Sequence, residues 1–249
     1  MAATEVLLEE VIDAHGRIRV VEVGPYRFLE FGEEVEQSCT FTQDPAWLEY
    51  DYNRAMLLGA LCHPAPRRAL FLGLGAGTLT QACLKWLPLE AVEALELRPD
   101  VPRLARRHLG LAEDPRLSIR IGDAMELLEG AAQADLIFID LYTDVGPSSA
   151  HLAWRFLENC QAKLKPGGWL MINQWSATDG KPLGAPLLRG LFRHHYWECP
   201  VVEGNVILLV PASLEQELDE AGVRARVRDL APRAGFDLEP YLDSLRPAT

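Results

Sequence analysis

Short apolar runs alternate with amphipathic stretches in the middle of the chain. Five runs of four to seven residues fit buried strands, at 69–72, 91–97, 116–122, 134–140 and 169–173. The stretches between them have the spacing of helices, and the third and fifth runs are preceded by proline or glycine. This alternation is typical of a parallel sheet with crossover helices on its faces. The pattern therefore predicts an α/β fold.

The flanking segments add elements at both ends of that sheet. Residues 17–31 contain two β-rich runs broken by a Gly-Pro pair, which predicts a hairpin. A helix is expected from about residue 45 to 61, where two prolines follow. The runs 191–200 and 204–210 are separated by too few residues for a parallel crossover, so they predict an antiparallel pair. A further helical segment is expected from about residue 213.

Parallel strands closed by an antiparallel hairpin are unlike the NAD-type sheet. The arrangement is similar to the Rossmann-like sheet of the class I AdoMet-dependent methyltransferases. We expect residues 1–66 to form a small β-rich N-terminal extension with a connecting helix, and residues 67–249 to form the methyltransferase-like catalytic domain.

Composition narrows the functional classes. The chain has 249 residues with 36 acids against 24 bases, and this net charge of -12 argues against nucleic acid as a partner. The five cysteines include no C-x-x-C pair, which argues against a disulfide framework and a zinc site. No apolar run approaches the ~20 residues of a membrane span. We therefore expect a cytoplasmic protein with no metal and no membrane partner.

A glycine-rich turn follows the first strand of the predicted sheet. Gly73, Gly75 and Gly77 stand between that strand and a helix, where glycine lets the backbone approach a ligand closely. Such turns also occur for packing alone. The spacing is GxGxG, with Thr78 where a dinucleotide fingerprint has its third glycine, so NAD and FAD are disfavoured.

Acidic residues follow the next strands. Glu96 ends the second strand, at the distance from the glycines where an acid accepts hydrogen bonds from ribose hydroxyls. Asp123 follows the third strand and is placed to accept from an adenine amino group, with Ala124 supplying an N–H; Asp123 is also a candidate helix N-cap. Because these positions converge on one edge of the sheet, they predict an adenosine site.

Two aspartates follow the fourth strand. Asp140 ends an apolar run, where desolvation raises a carboxyl pKa and makes the group a candidate base or cation ligand. Asp144 lies four residues later, in a loop that contains glycine and proline. It is either a second catalytic acid or an ordinary loop residue or N-cap.

The chain resembles the spermidine synthases, or polyamine aminopropyltransferases, over residues 17–210. The resemblance rests on RIRVVEVGPYRFLEFGEEVEQS, LCHPAPRRALFLGLGAG, VEALELRPDV, IGDAMELL, DLIFIDLYTDVGP and LKPGGWL. It implies transfer of an aminopropyl group from decarboxylated AdoMet to an amine, with methylthioadenosine as the second product. It also implies that Gln37 binds the donor, that Glu96 and Asp123 hold ribose and adenine, that Asp140 is the general base, and that the protein is a homodimer.

The sequence departs from this family on the amine side. Ala76 replaces the acid of the family's GGGDG motif, and Thr143 stands where the loop's second acid belongs. Val202 falls near the family's amine-site tyrosine, and Tyr50 and Tyr52 are approximate counterparts of another.

The expected acceptor pocket follows from these departures. Four residues are expected to line it, namely Tyr142, Gln174, Trp175 and Val202. Such a pocket is less polar than a diamine site, which predicts an acceptor other than putrescine.

Three functions remain open at this point. The first is an aminopropyltransferase that uses AdoMet or decarboxylated AdoMet with a small-molecule amine. The second is a small-molecule methyltransferase, although many of these enzymes carry an acid where this chain has Phe71. The third is a catalytically silent binder of a nucleoside or polyamine.

Overall fold

The computed structural model describes residues 4–32, 35–143, 146–148 and 152–248. Near the N-terminus the chain forms four strands, β1 (Glu5–Asp13), β2 (Gly16–Val23), β3 (Tyr26–Phe31) and β4 (Val35–Phe41). They pair in sequence order as an antiparallel sheet. Val23 pairs with Tyr26 across the Gly-Pro turn, which confirms the predicted hairpin.

The remaining described residues alternate between helices and strands. In chain order these elements are α1 (Asp51–Ala60), β5 (Arg68–Leu72), α2 (Thr78–Trp86), β6 (Ala91–Glu96), α3 (Asp100–His108), β7 (Leu117–Ile121), α4 (Ala124–Leu127), a 3-10 turn (Leu128–Gly130), β8 (Ala134–Ile139), β9 (Tyr142–Thr143), β10 (Gly146–Pro147), α5 (Trp154–Ala162), β11 (Leu164–Trp175), α6 (Ala185–Phe192), β12 (Trp197–Pro200), β13 (Asn205–Pro211), α7 (Glu220–Ala234), α8 (Glu239–Ser244) and β14 (Arg246–Pro247). Over the described ranges, no helix has both the length and the apolar character needed to cross a membrane.

Eight of these strands form the central sheet, in the order β14-β12-β13-β11-β8-β5-β6-β7. The five strands from β11 to β7 are parallel, whereas β13 runs antiparallel to both β11 and β12. The predicted parallel sheet closed by an antiparallel hairpin is therefore confirmed. Because parallel strands end at one edge, the turns after β5, β6, β7 and β8 meet there.

Three predicted element boundaries were wrong. The helical segment expected from about residue 213 begins only at Glu220, the start of α7. Residues 191–196 were expected in a strand, but α6 continues to Phe192 and β12 begins only at Trp197. Leu188 and Phe192 are both buried four residues apart, which is helical spacing, and Arg193 and His194 have positive φ angles that end the helix. The first predicted helix also starts later than expected, at Asp51 instead of about residue 45.

The core covers both faces of the central sheet. Side chains alternate along each strand, so Phe71 and Phe138 face one side, where their rings stack at 4.3 Å. Leu70 and Ile137 face the other side. Helices α1, α2, α3 and α7 pack on the first face, and α4, α5 and α6 pack on the second. The buried edge of this sheet gives the site a rigid base.

A buried ion pair joins the N-terminal sheet to the central one. Arg98, which is 5% exposed, donates two hydrogen bonds to Asp13 at 2.8 and 2.9 Å and one to the carbonyl of Gly16 at 2.7 Å. Its guanidinium also lies 4.4 Å from the ring centre of Phe31. These contacts hold the β1–β2 turn and the end of β3 against the segment that follows β6.

Candidate active site

The glycine turn brings the backbone of β5 against neighbouring elements. A side chain at Gly73 would collide with the carbonyl of Asp140, and one at Gly75 would collide with the hydroxyl of Ser38. Both glycines have positive φ angles, of 93° and 55°. Ser38 in turn accepts a hydrogen bond from the amide of Ala76 at 3.2 Å. The turn therefore packs this closely against Asp140 and Ser38 only because it lacks side chains there.

Glu96 ends β6 beside this turn, with 7% of its surface exposed. One of its oxygens accepts from the amide of Leu74 at 3.1 Å, and the other accepts from the amide of Arg98 at 2.9 Å. Burial raises the pKa of the carboxyl above its ordinary value, while these backbone bonds lower it. The carboxylate is thus fixed by backbone groups on both sides before any ligand binds.

Asp123 is the N-cap of α4. Its Oδ1 accepts a hydrogen bond from the amide of Met125 at 2.8 Å. Asp123 and Ala124 both line the same cavity as Glu96. The capping bond fixes the carboxylate at the edge of that cavity, so the two roles proposed for Asp123 are compatible.

These groups surround a cavity of ≈ 210 Å³, which we call the Glu96 cavity. Its walls come from the glycine turn, the ends of β6, β7 and β8, and the N-terminal sheet. The lining residues are Phe31, Gln37, Ser38, Gly73, Leu74, Gly75, Leu95, Glu96, Leu97, Arg98, Asp123, Ala124, Met125, Asp140, Leu141, Tyr142, Thr143 and Ser148.

A second cavity, of ≈ 430 Å³, lies beside the first, and we call it the aromatic cavity. Four of its lining residues are aromatic and three are acidic. The full set is Glu36, Gln37, Tyr50, Tyr52, Asp140, Tyr142, Thr143, Gly146, Asn173, Trp175, Glu203 and Asn205. No lysine, arginine or histidine among the described residues lines it. A cavity with this lining favours a cationic ligand, since aromatic faces and carboxylates both attract positive charge.

Asp140 lines both cavities, just past the end of β8. Burial raises the pKa of its carboxyl to about 6, and a hydrogen bond from Asn173 partly opposes this increase. Asn173 Nδ2 donates to Asp140 Oδ1 at 2.9 Å. At neutral pH the carboxylate is therefore mostly ionised and has a pKa suited to proton exchange.

A chain of side-chain hydrogen bonds orients Asp140. Asn205 Nδ2 donates to Asn173 Oδ1 at 2.8 Å, which leaves the amide hydrogens of Asn173 facing Asp140. The hydroxyl of Tyr142 donates to the carbonyl of Asn173 at 3.2 Å. Asn173 of β11 thus holds the carboxylate, and residues of β9 and β13 hold Asn173.

The structure places most of the predicted site residues around these cavities. Gln37 lines both and donates to the carbonyl of Thr143 at 3.5 Å, and Trp175 lines the aromatic cavity. Gly77 lines neither cavity and caps the start of α2. Asp144 lies outside the described residues.

Gln174 is not at the acceptor wall where it was predicted. Its side chain is fully buried and lines neither cavity, and its Oε1 accepts from the amide of Trp175 at 3.1 Å. Successive strand residues point to opposite faces, so its neighbour Asn173 lines the aromatic cavity instead. The expected pocket wall at Val202 is also absent, since that side chain is 85% exposed.

Sequence reasoning missed four residues of the aromatic cavity, Asn173, Asn205, Glu36 and Glu203. Asn173 carried a usable signal, because it ends an apolar run that is parallel to β8 and therefore lies beside Asp140. Glu203 carried none, since it lies far from the motifs in sequence, whereas Glu36 directly precedes Gln37 within the motif of residues 17–38. They make the cavity more acidic than the sequence predicted.

No group of three or more histidine, cysteine, aspartate or glutamate side chains lies close enough to hold a metal ion, within the ranges that the structure describes.

Comparison with known proteins gives a consistent family. Residues 52–178 match the family model for the spermine/spermidine synthase domain. A polyamine aminopropyltransferase of Chromobacterium violaceum is 26% identical over 245 residues, which cover 94% of this chain and 91% of that protein. Another from Nitrosomonas europaea is 35% identical over 199 residues, which cover 77% of this chain and 59% of that protein.

Solved structures share the fold. A probable spermidine synthase from Corynebacterium glutamicum gives a TM-score of 0.71 at 21% identity, covering 91% of this chain and 86% of that chain. Human methyltransferase-like protein 13 in complex with SAH gives a TM-score of 0.62 at 21% identity, covering 79% of this chain and 94% of that chain. The predicted methyltransferase-like sheet is thereby confirmed.

Proposed function

Because this chain belongs to the spermine/spermidine synthase family, we propose that it transfers an aminopropyl group to a small amine in polyamine biosynthesis. The chain is a transferase, in line with relatives named polyamine aminopropyltransferase. The observation that carries the proposal is the position of Asp140, which lines both the Glu96 cavity and the aromatic cavity. A group at that boundary can touch a donor on one side and an acceptor on the other.

We assign decarboxylated AdoMet to the Glu96 cavity. Glu96 is held by two backbone amides and keeps lone pairs for ribose hydroxyls, and Asp123 is placed for the adenine amino group. Gly73 and Gly75 line the same cavity beside them. Gln37, which lines both cavities, lies where the donor's transferred end would meet the acceptor.

We assign the amine acceptor to the aromatic cavity, where Asp140 is the base. The donor supplies a carbon activated by its sulfonium, so that the new N–C bond forms as the C–S bond breaks and the sulfur keeps the electron pair. Asp140 holds the attacking nitrogen and accepts the proton that this nitrogen loses. Asn173 and Asn205 keep the carboxylate aimed at the boundary of the two cavities.

The test is a mass-spectrometric product assay, with AdoMet and decarboxylated AdoMet offered separately against a panel of monoamines, diamines and polyamines. We expect methylthioadenosine and an aminopropylated amine from the decarboxylated donor. Release of adenosylhomocysteine would instead assign the protein to methyl transfer. Binding of both donors without any product would indicate a silent binder.

Methyl transfer is the second candidate because of Ala76. This residue replaces the acid with which the family holds the amino end of the aminopropyl group. Because the alanine side chain is a methyl group, the turn offers no carboxylate at that place. A donor tail of different charge is therefore the natural alternative, and the separate donor reactions distinguish the two.

Two finer expectations belong to this proposal, a homodimer and a cytoplasmic location. Exposed apolar side chains on β1, at Val6, Leu7 and Ile12, support self-association through the N-terminal sheet. The five cysteines are all free and buried, which suits a reducing compartment. Light scattering across a range of protein concentrations tests the dimer.

A further inference from the structure

Asp140 lies at one end of a chain of hydrogen bonds that starts at a main-chain carbonyl. The hydroxyl of Tyr142 donates to the carbonyl of Asn173 at 3.2 Å, and Asn205 Nδ2 donates to the same hydroxyl at 3.3 Å. Asn205 Nδ2 also donates to Asn173 Oδ1 at 2.8 Å, and Asn173 Nδ2 donates to Asp140 Oδ1 at 2.9 Å. Three side chains therefore connect the carbonyl to the carboxylate.

The carbonyl fixes the direction of every bond in this chain. A carbonyl oxygen can only accept, so the single hydrogen of the Tyr142 hydroxyl is used there, and the hydroxyl oxygen presents lone pairs to Asn205. Asn205 must therefore turn its NH₂ group toward both Tyr142 and Asn173. Because the side-chain oxygen of Asn173 accepts from that group, the NH₂ group of Asn173 faces Asp140.

The opposite orientation of the Asn173 amide is unfavourable. Its oxygen would then face the carboxylate of Asp140, and its NH₂ group would face the NH₂ group of Asn205. Asn173 is 2% exposed and Asn205 is 8% exposed, so solvent is poorly placed to supply the lost partners. Asn205 therefore decides which atom of Asn173 the carboxylate meets.

A donor at this position favours the charged form of Asp140. The hydrogen bond from Asn173 lowers the pKa of the carboxyl, whereas burial raises it. Among the described residues, no other side chain hydrogen-bonds to this carboxylate. The titratable and charged groups that line the two cavities around it are Glu36, Tyr50, Tyr52, Glu96, Arg98, Asp123, Tyr142 and Glu203. A substitution at Asn205 leaves all of these groups in the chain, so its effect on Asp140 passes through the amide of Asn173.

We propose that Asn205 is a positioning residue that keeps Asp140 in its proton-accepting form at neutral pH, by fixing the orientation of the Asn173 amide. The inference rests on the proposed function, in which Asp140 is the base, and adds to it a residue that acts through another side chain. Without Asn205, the amide of Asn173 can present either its oxygen or its NH₂ group to the carboxylate. A larger fraction of Asp140 is then protonated and cannot accept a proton from the amine.

The first test is the pH profile of kcat/KM for Asn205→Leu, which removes both donated hydrogen bonds at similar side-chain volume. We expect the acid limb to move upward by about 1 pH unit, so that kcat/KM falls about tenfold below about pH 6 and stays near the wild-type value above about pH 8. A loss of the same size at every pH would show a structural role only and would overturn the proposal.

Two further variants accompany this one. Tyr142→Phe keeps the ring beside Trp175 but removes the hydroxyl that orients Asn205, so it should shift the acid limb in the same direction by a smaller amount. Asn159→Leu replaces an exposed asparagine of α5 and is the matched control, which should keep the wild-type profile. The affinity for methylthioadenosine checks that each variant is folded, and Tyr142→Phe carries the test if Asn205→Leu does not fold.

A double variant tests whether Asn205 acts through Asn173. Asn173→Leu removes the amide itself, so the acid limb should move at least as far as in Asn205→Leu. In the Asn173→Leu background, Asn205→Leu should add no further shift, because the connection to Asp140 is already lost. An added shift equal to that of Asn205→Leu alone would overturn the proposal.

A titration without turnover distinguishes this inference from the proposed function. In protein labelled with ¹³C-aspartate, the Cγ resonance of Asp140 is the one missing from the spectrum of Asp140→Asn, and its chemical shift reports protonation. A midpoint about 1 pH unit higher in Asn205→Leu than in the wild-type protein would support the inference even if no amine is aminopropylated. Equal midpoints in the two proteins would overturn it, whichever reaction the protein catalyses.

Discussion

The Glu96 cavity and the aromatic cavity share Asp140 but are built in different ways. In the Glu96 cavity, Glu96 and Asp123 lie at the ends of two strands and are fixed by backbone amides of nearby turns. In the aromatic cavity, Tyr50, Asn173 and Glu203 come from segments more than 20 residues apart, and side-chain contacts place them. Local turns thus define the donor side, whereas tertiary packing defines the acceptor side.

Asp140→Asn tests the residue that the two cavities share. The amide cannot accept the proton, so we expect kcat to fall about 10²- to 10⁴-fold. Binding of methylthioadenosine should change little, because the groups assigned to adenosine are elsewhere in the Glu96 cavity. Steady-state kinetics and calorimetry measure the two effects, with Asp229→Asn, an exposed aspartate of α7, as the control. Equal losses of kcat and nucleoside affinity would contradict the separation of the two sides.

The same residue predicts the acid limb of the pH profile. The pKa of Asp140, raised to about 6 by burial, makes the ionised base the minor form below that pH. We therefore expect kcat/KM of the wild-type protein to fall about tenfold per pH unit below about 6. In Asp140→Asn the residual activity should lack this limb.

Glu96→Gln should affect the donor side alone. One oxygen remains for a backbone amide, but the new NH₂ group faces the second amide, and the charge that holds the ribose is lost. We expect methylthioadenosine to bind about 10- to 100-fold more weakly. The acceptor KM at saturating donor should stay constant.

Glu93→Gln is the matched control, because Glu93 is in the same strand, pairs with Arg120 and lines neither cavity. A donor affinity equal to that of the control would remove Glu96 from the ribose site.

Asp123→Ser should give the smallest effect and separate two roles. Serine is as good an N-cap as aspartate, so the hydrogen bond to the amide of Met125 and the melting temperature should be kept. The carboxylate that accepts from the adenine amino group is lost, which should weaken methylthioadenosine binding about 3- to 10-fold. An analogue whose purine lacks the amino group should bind both proteins equally. If Asp123→Ser weakens binding of that analogue as much as it weakens binding of methylthioadenosine, Asp123 does not contact the adenine amino group and is an N-cap only.

The fold was predictable because its signals are local. Four of the five parallel strands contain a short buried run followed by a turn, with the edge strand β7 as the exception. The hairpin link is too short for a crossover, so topology follows from spacing. The prediction was wrong in a segment whose composition suits both a strand and a helix. Residues 191–196 combine apolar and basic side chains that suit a strand, yet Leu188 and Phe192 bury at helical spacing and extend α6.

The site was predictable on the donor side for the same reason. Glu96 and Asp123 are assigned by their position after a strand, without knowledge of any distant residue. On the acceptor side the prediction chose Gln174, but its neighbour Asn173 lines the cavity, because adjacent strand residues point to opposite faces of the sheet. Glu203 reaches the cavity only because the hairpin turn packs on the first residue of α1, which no local pattern encodes.

The link from Arg98 to Asp13 ties the N-terminal hairpin to the wall of the Glu96 cavity. Opening that hairpin would leave the guanidinium without its partner and would withdraw Phe31, which lines the cavity. A ligand that fills the cavity therefore opposes the opening by mass action, by about 2.7 kcal/mol at a ligand concentration of 100 times its Kd. The amide hydrogens of β1 and β2 should thus exchange more slowly with solvent as the cavity is occupied, so the N-terminal sheet reports donor occupancy from a distance.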